Sequence, residues 1–213
     1  MSAPGEPLTF PSGDLTLEGL LHQPAAAPHP AAVVCHPHPL FGGDMHNSVV
    51  TAVCRALVGA GIAALRFNFR GVGRSLGRFG DFVGERADAM AALAYLRQRE
   101  GVDTARVGII GYSFGAAVAL VAADDQVAAL AAIAPPDFAH AMPPPSIRCP
   151  ALLITGDRDD VAPPAHVAAL ARTLGPHCRV EIVPGADHFW WGHEEKLART
   201  VAAFLRDSLL PVQ

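Results

Sequence analysis

Ser113 stands in the pentapeptide Gly111-Tyr112-Ser113-Phe114-Gly115, between an apolar run (residues 107–111) and an alanine-rich stretch. The first reads as a buried strand and the second as a helix. Gly-x-Ser-x-Gly at such a junction is the pattern of a nucleophile elbow. Its glycines allow strand and helix backbones to approach more closely than a Cβ would permit. The serine at the apex is then held in a strained conformation with its hydroxyl out of the sheet. The helix start behind it gathers N–H groups that favour a developing negative charge. A second match, Gly73-Arg74-Ser75-Leu76-Gly77, follows a polar, glycine-rich loop rather than a strand. Ser75 is therefore read as a loop residue and Ser113 as the nucleophile.

A serine hydroxyl is a weak nucleophile at neutral pH and needs a base beside it, which in turn needs a carboxylate to orient it. In a parallel sheet such groups converge when each sits at the C-terminal end of a strand. The apolar run 151–155 ends in Gly156-Asp157-Arg158-Asp159-Asp160, and the run 180–183 ends in Pro184-Gly185-Ala186-Asp187-His188-Phe189. His188 is the expected base. Asp157, Asp159 and Asp160 all stand where the acid is needed. Asp187 is read as a cap of its own loop, because adjacent side chains diverge.

The elements that must carry these residues follow from periodicity. Residues 8–10 and 15–22 flank Ser12-Gly13-Asp14 and predict an antiparallel hairpin. Short runs at 31–35, 62–67, 107–111, 127–134, 151–155 and 179–183, most of them apolar, predict strands. Apolar residues at helical spacing predict helices over 47–60, 85–100, 165–174 and 194–210, besides the one after Ser113. Alternating β and α units after an antiparallel start imply an α/β protein with one mostly parallel sheet and helices on both faces, in one domain over residues 1–213. The segments 36–43 and 68–84 read as loops, the first because of its prolines and the second because of its glycines.

The motifs HPHPLFGG, FNFRGVGRSLG, GYSFG, GDRDDVAPP and GADHFW occur in that order, and with them residues 8–208 resemble the α/β-hydrolase superfamily. More narrowly they resemble its small, lidless bacterial serine hydrolases. The resemblance implies Asp159 as the acid, through Gly-x-x-Asp-x-x-x-Pro from Gly156 to Pro163. It also implies an oxyanion hole made by the N–H of Phe114 and one from the loop after the 31–35 strand. Pro37 and Pro39 have no N–H, which leaves His38 and Leu40. Phe41, Tyr112 and Trp190 are candidates to line the substrate site. The cysteine nucleophile of dienelactone hydrolases would have to stand at position 113, where this chain has serine. The segment 137–146 is too short for the helical lid of larger relatives, so the site is expected to be open, without a substantial lid.

Composition narrows the partners. The net charge is −4, with no basic run to meet nucleic acid. No apolar run reaches the roughly 18 residues of a membrane span, and residues 1–14 lack the features of a signal peptide. The four cysteines are far apart without CxxC spacing, so a cytoplasmic location is expected. His36, His38, His46 and Asp44 carry metal-ligand side chains, but the intervening prolines break any regular ligand spacing, and no metal is expected. His36 is read instead as a hydrogen-bonding structural residue. The expected activity is hydrolysis of small, accessible carboxylic esters through an acyl-enzyme, without a cofactor, by a monomer or homodimer. Amide or thioester hydrolysis or perhydrolysis by the same groups is the alternative enzyme reading, and a non-catalytic binding protein on the same fold is the other.

Overall fold

A computed structural model describes residues 5–137 and 147–210. The hairpin is β1 (Glu6–Ser12) and β2 (Leu15–His22), closed through the turn at Gly13 and Asp14. Six further strands follow: β3 (His29–Cys35), β4 (Ala63–Phe67), β5 (Val102–Tyr112), β6 (Ala129–Ile133), β7 (Ala151–Gly156) and β8 (Cys178–Val183). They form an eight-stranded sheet in the order β1-β2-β4-β3-β5-β6-β7-β8. The pairings β1–β2 and β2–β4 are antiparallel, and every other pairing is parallel. The expected strands and helices are all present, with ends shifted by a few residues; β5 extends five residues further back, to Val102.

The central strands β3, β6 and β7 are buried along their whole length. Strands covered on both faces need continuous apolar sequence rather than alternation, which is why they read as unbroken runs. The helices are α1 (Ser48–Gly59), α2 (Val83–Arg97), α3 (Phe114–Ala122), α4 (Pro164–Leu174) and α5 (Glu194–Leu209). Asn47 starts α1 by accepting the N–H groups of Val49 and Val50 on its side-chain oxygen. Helices α1 and α5 pack on each other, as do α2 and α3. The connection β3–α1–β4 steps toward the hairpin, whereas β4–α2–β5 steps back past β3. Since such crossovers are right-handed, α1 and α2 lie on opposite faces. The strand order reverses at β3 and β5, and a crevice opens there at the carboxyl ends of the strands.

The loops that border this crevice are held by buried polar side chains. His36, just beyond β3, is fully buried. Its Nδ1 donates to the carbonyl oxygen of Pro37 at 2.6 Å, and its Nε2 accepts the N–H of Phe69 at 3.1 Å. Both ring nitrogens are thus taken by backbone, and the ring ties the loop after β3 to the loop after β4. Burial lowers the His36 pKa to about 4, with its bond to Pro37 working the other way. Asp88, buried on α2, clamps the second loop. It accepts the Arg70 guanidinium at 2.7 and 3.0 Å, the Arg70 N–H at 3.0 Å and the Ser12 hydroxyl at 2.7 Å. Ser75 belongs to the same scaffold, donating to the carbonyl of Asn68 at 2.7 Å and accepting the N–H of Glu18 at 3.0 Å. Its hydroxyl is fully used in holding the loop, in keeping with its reading as a loop residue.

Two outcomes follow from this scaffold. Asp88→Ala leaves the largely buried Arg70 guanidinium without its counter-charge. The expected loss is about 3–5 kcal/mol of unfolding free energy, read by urea denaturation, and a loss below about 1 kcal/mol would show that the clamp does not carry the loop. His36 binds its proton less readily folded than unfolded, so between about pH 6.5 and pH 4 the unfolded chain holds more protons and stability falls as pH falls. Up to about 3 kcal/mol is lost over that window. In His36→Gln the stability curve should be flatter across it, and an unchanged slope would locate the acid sensitivity elsewhere.

Candidate active site

Ser113 connects β5 to α3 with φ 53° and ψ −121°, a conformation that L-residues rarely adopt. The local sequence makes this possible at two glycines. A Cβ on Gly111 would run into the backbone of Gly115, and one on Gly115 would run into the carbonyl of Cys35. The turn is also pinned from the side, because the N–H of Ser113 donates to the carbonyl of Ile133 at the end of β6, at 2.8 Å. The hydroxyl is thereby raised above the carboxyl ends of the strands.

His188 and Asp159 meet it there. Ser113 Oγ lies 2.9 Å from His188 Nε2, and His188 Nδ1 lies 2.9 and 3.0 Å from the two carboxylate oxygens of Asp159. Asp159 follows β7 and is itself held by the loop after that strand. Its Oδ1 accepts the N–H groups of Val161 and Ala162 at 2.9 and 2.7 Å. Burial alone would raise the pKa of this carboxyl, but the bonds from His188 and from those two N–H groups, with the charge of His188, outweigh it and hold the pKa down. Asp159 therefore stays ionised at neutral pH, as a group that orients an imidazole must. His188 is positioned from behind by Tyr112, whose hydroxyl donates to the His188 carbonyl at 2.8 Å. Burial, then the nearby charges of Asp159 and Asp187, push the phenol pKa up, so it remains a donor.

The other two acids of the loop do different work. Asp157 accepts the N–H of Gly185 at 2.7 Å, and Asp160 is exposed to solvent. Asp187 accepts the N–H groups of Phe189 and Trp190, both at 3.0 Å, and so caps its own turn as the sequence suggests.

The loop after β3 contributes a short 3-10 turn (Pro39–Phe41) beside the serine. The N–H of Leu40 donates to Nδ1 of the His38 ring at 3.2 Å, and the Leu40 side chain is 67% exposed, outside the cavity. His38 lines the cavity, and the carbonyl before its nitrogen, that of Pro37, is turned to the buried His36 ring. In a trans peptide the N–H points opposite to the carbonyl. His36 therefore turns the N–H of His38 away from itself. Phe114 opens α3 at the positive end of its dipole and lines the same cavity.

That cavity measures ≈ 620 Å³ and opens directly over Ser113. Phe41 and Tyr112, two of the candidates from the sequence, line it. Trp190 does not. Its side chain is fully buried, because the backbone at Trp190 turns through φ 61° and directs the ring inward. Its neighbour Phe189, 61% exposed, is the residue of this turn that lines the cavity, together with Val161 and Pro136 from other loops. Sequence order alone did not separate Phe189 from Trp190, since the deciding feature is one positive φ after a capped turn. The segment 137–146, expected to be too short for a lid, lies outside the described residues except for Asp137.

Comparison with known proteins agrees with this architecture. An uncharacterized protein of Rickettsia prowazekii is 36% identical over 89% of this chain and 84% of its own. A solved α/β serine hydrolase without a lid from Xanthomonas campestris is 33% identical, with a TM-score of 0.85 over 100% of this chain and 99% of that one. An α/β serine hydrolase homologue from Coxiella burnetii is 32% identical, with a TM-score of 0.84 over 95% of this chain and 98% of that one. The fold is thus that of the α/β hydrolases. The model of the Dienelactone hydrolase family matches residues 17–203, the span that holds most of β2 through most of α5 and every residue of the site, and the chain belongs to that family.

Proposed function

We propose that the protein is a serine hydrolase that cleaves carboxylic esters through an acyl-enzyme on Ser113. The observation that carries this reading is the continuous run of contacts from Ser113 Oγ through the imidazole of His188 to the carboxylate of Asp159, at the floor of an open cavity. The family and the lidless serine hydrolase from X. campestris support hydrolysis as the reaction class.

In this mechanism Ser113 Oγ bonds to the ester carbonyl carbon as its proton passes to His188 Nε2. The imidazolium is stabilised by Asp159, which also fixes the tautomer with Nδ1 protonated. The carbonyl oxygen becomes an oxyanion facing the N–H groups of Phe114 and His38. Collapse breaks the bond to the alcohol oxygen, which takes the proton from His188. Water then attacks the acyl-enzyme, giving its proton to the same histidine, and the acid leaves as Ser113 regains its hydrogen. Of the two sequence candidates for the second oxyanion donor, His38 is favoured, because the N–H of Leu40 is spent on the His38 ring. The openness of the cavity supports short or accessible esters as substrates.

Ser113→Ala and His188→Ala should each lower kcat by about four to six orders of magnitude, and the double variant should be little worse than either. Loss of covalent labelling by a fluorophosphonate in Ser113→Ala assigns the nucleophile directly. Retained labelling, or strictly additive losses, would contradict the mechanism. The oxyanion donor has its own test, because His38 already has φ −56°, a value proline adopts. His38→Ala keeps the backbone N–H and His38→Pro deletes it. The proline variant should fall below the alanine variant by about 10²–10³ in kcat, and equal rates would remove His38 from the oxyanion hole.

A further inference from the structure

Resting on the acyl-enzyme reading of Ser113, we infer that the site takes uncharged esters, with the acyl portion along the Phe41 wall and the leaving alcohol against Phe189 and Val161. Of the residues that line the cavity, Phe41, Gly42, Gly43 and Asn47 come from the segment after β3, and Pro136, Val161 and Phe189, with His188, come from the segments after β6, β7 and β8.

The reaction assigns a partner to each set. The alcohol oxygen must come within hydrogen-bond reach of His188 Nε2 to be protonated as it leaves. The group attached to that oxygen then lies beside the residues next to His188. Phe189 follows it directly in the chain and stands edge-on to its ring, with centroids 5.8 Å apart. Val161, half exposed, belongs to the same loop as Asp159. The oxyanion faces His38 and Phe114, so the acyl chain takes the space that remains, beside Gly42, Gly43 and the exposed Phe41 ring.

The charge of this space sets the substrate class. Among the described residues that line it there is no lysine or arginine, and its only ionisable cations are the rings of His38 and His188. Partial burial lowers the pKa of His38, and its Nδ1 is accepting the Leu40 N–H. A carboxylate on the acyl group would therefore lose water in the cavity without meeting a counter-charge. Two apolar walls and an uncompensated site discriminate against an anion by what they fail to offer it.

The test compares ethyl butyrate with monoethyl succinate, which share a leaving group and an acyl length and differ in a terminal methyl against a carboxylate. Acid release at constant pH gives kcat/KM for each. The wild-type protein should favour ethyl butyrate by about tenfold or more. Phe41→Arg should narrow that ratio, and Phe189→Arg should narrow it less, because the new cation then faces the ethanol side. Equal rates in the wild type, or a stronger effect at position 189 than at 41, would overturn the inference. Labelling of wild-type Ser113 by a small fluorophosphonate reports on the serine chemistry separately. Labelling with equal rates on the two esters leaves the hydrolase reading intact and removes this one, whereas absence of labelling removes both.

Discussion

The backbone at Ser113 is held where a serine would not choose to be. A φ of 53° with ψ −121° costs on the order of 1–3 kcal/mol, and it persists because every neighbour of the turn is already committed. β5 is paired on both sides, by β3 and β6. The first turn of α3 is pressed onto the backbone at the end of β3, and the N–H of Ser113 is taken by Ile133. Relaxing the serine would mean separating a buried helix from a buried sheet, so the strain is outweighed by the surrounding apolar burial. Under the proposed mechanism this is how the hydroxyl reaches solvent and His188 while the next N–H stays beside it.

Around that fixed point the site is built from loops, and loops have no ladder to hold them. In this protein buried polar side chains take over that task, each gathering backbone N–H groups or carbonyls that would otherwise be buried without partners. Asp159 orders the loop after β7 through Val161 and Ala162, and Asp88 orders the loop after β4 through Arg70. Glu85 accepts the N–H groups of Gly80 and Phe82 ahead of α2. His36 is the link between them, since Phe69, one residue before Arg70, donates to its ring while the ring grips Pro37. Asp88 on α2 is in this way connected to the peptide that presents the His38 N–H, without touching the cavity.

How much of this was legible depends on the kind of signal involved. Apolar runs such as 31–35 and 151–154 mark strands buried on both faces, and Ser113 and Asp159 became candidates because each follows such a run, whereas His188 follows the mixed run 179–183 at the edge of the sheet. Their mutual distances required the fold, as did the choice among Asp157, Asp159 and Asp160 on the residues alone. Asp88 and Arg70 carry no local pattern; an aspartate within a helix reads as a solvated residue, and only tertiary burial makes it a clamp. The exchange of Trp190 for Phe189 at the cavity turned on a single backbone angle. The preference proposed for His38 over Leu40 rests on a ring nitrogen that accepts a hydrogen bond two residues along the chain.

Serine at position 113 also fixes what the remaining groups must do. A thiol can ionise ahead of attack, but a hydroxyl cannot, so its proton has to move as the new bond forms. That places the burden on the imidazole, and the imidazole is useful only with Nδ1 protonated and Nε2 free to accept. The low pKa of Asp159 secures this, because an ionised carboxylate 2.9 Å from Nδ1 accepts a hydrogen bond and cannot donate one. The thiol nearest the elbow in the sequence of β3, Cys35, offers no substitute. It is fully buried, and burial together with the charge of Asp88 pushes its pKa far above the usual thiol range. The chemistry proposed for this site therefore rests on one hydroxyl, and that hydroxyl rests on a carboxylate kept ionised by its bond from His188 and by two backbone N–H groups in the loop after β7.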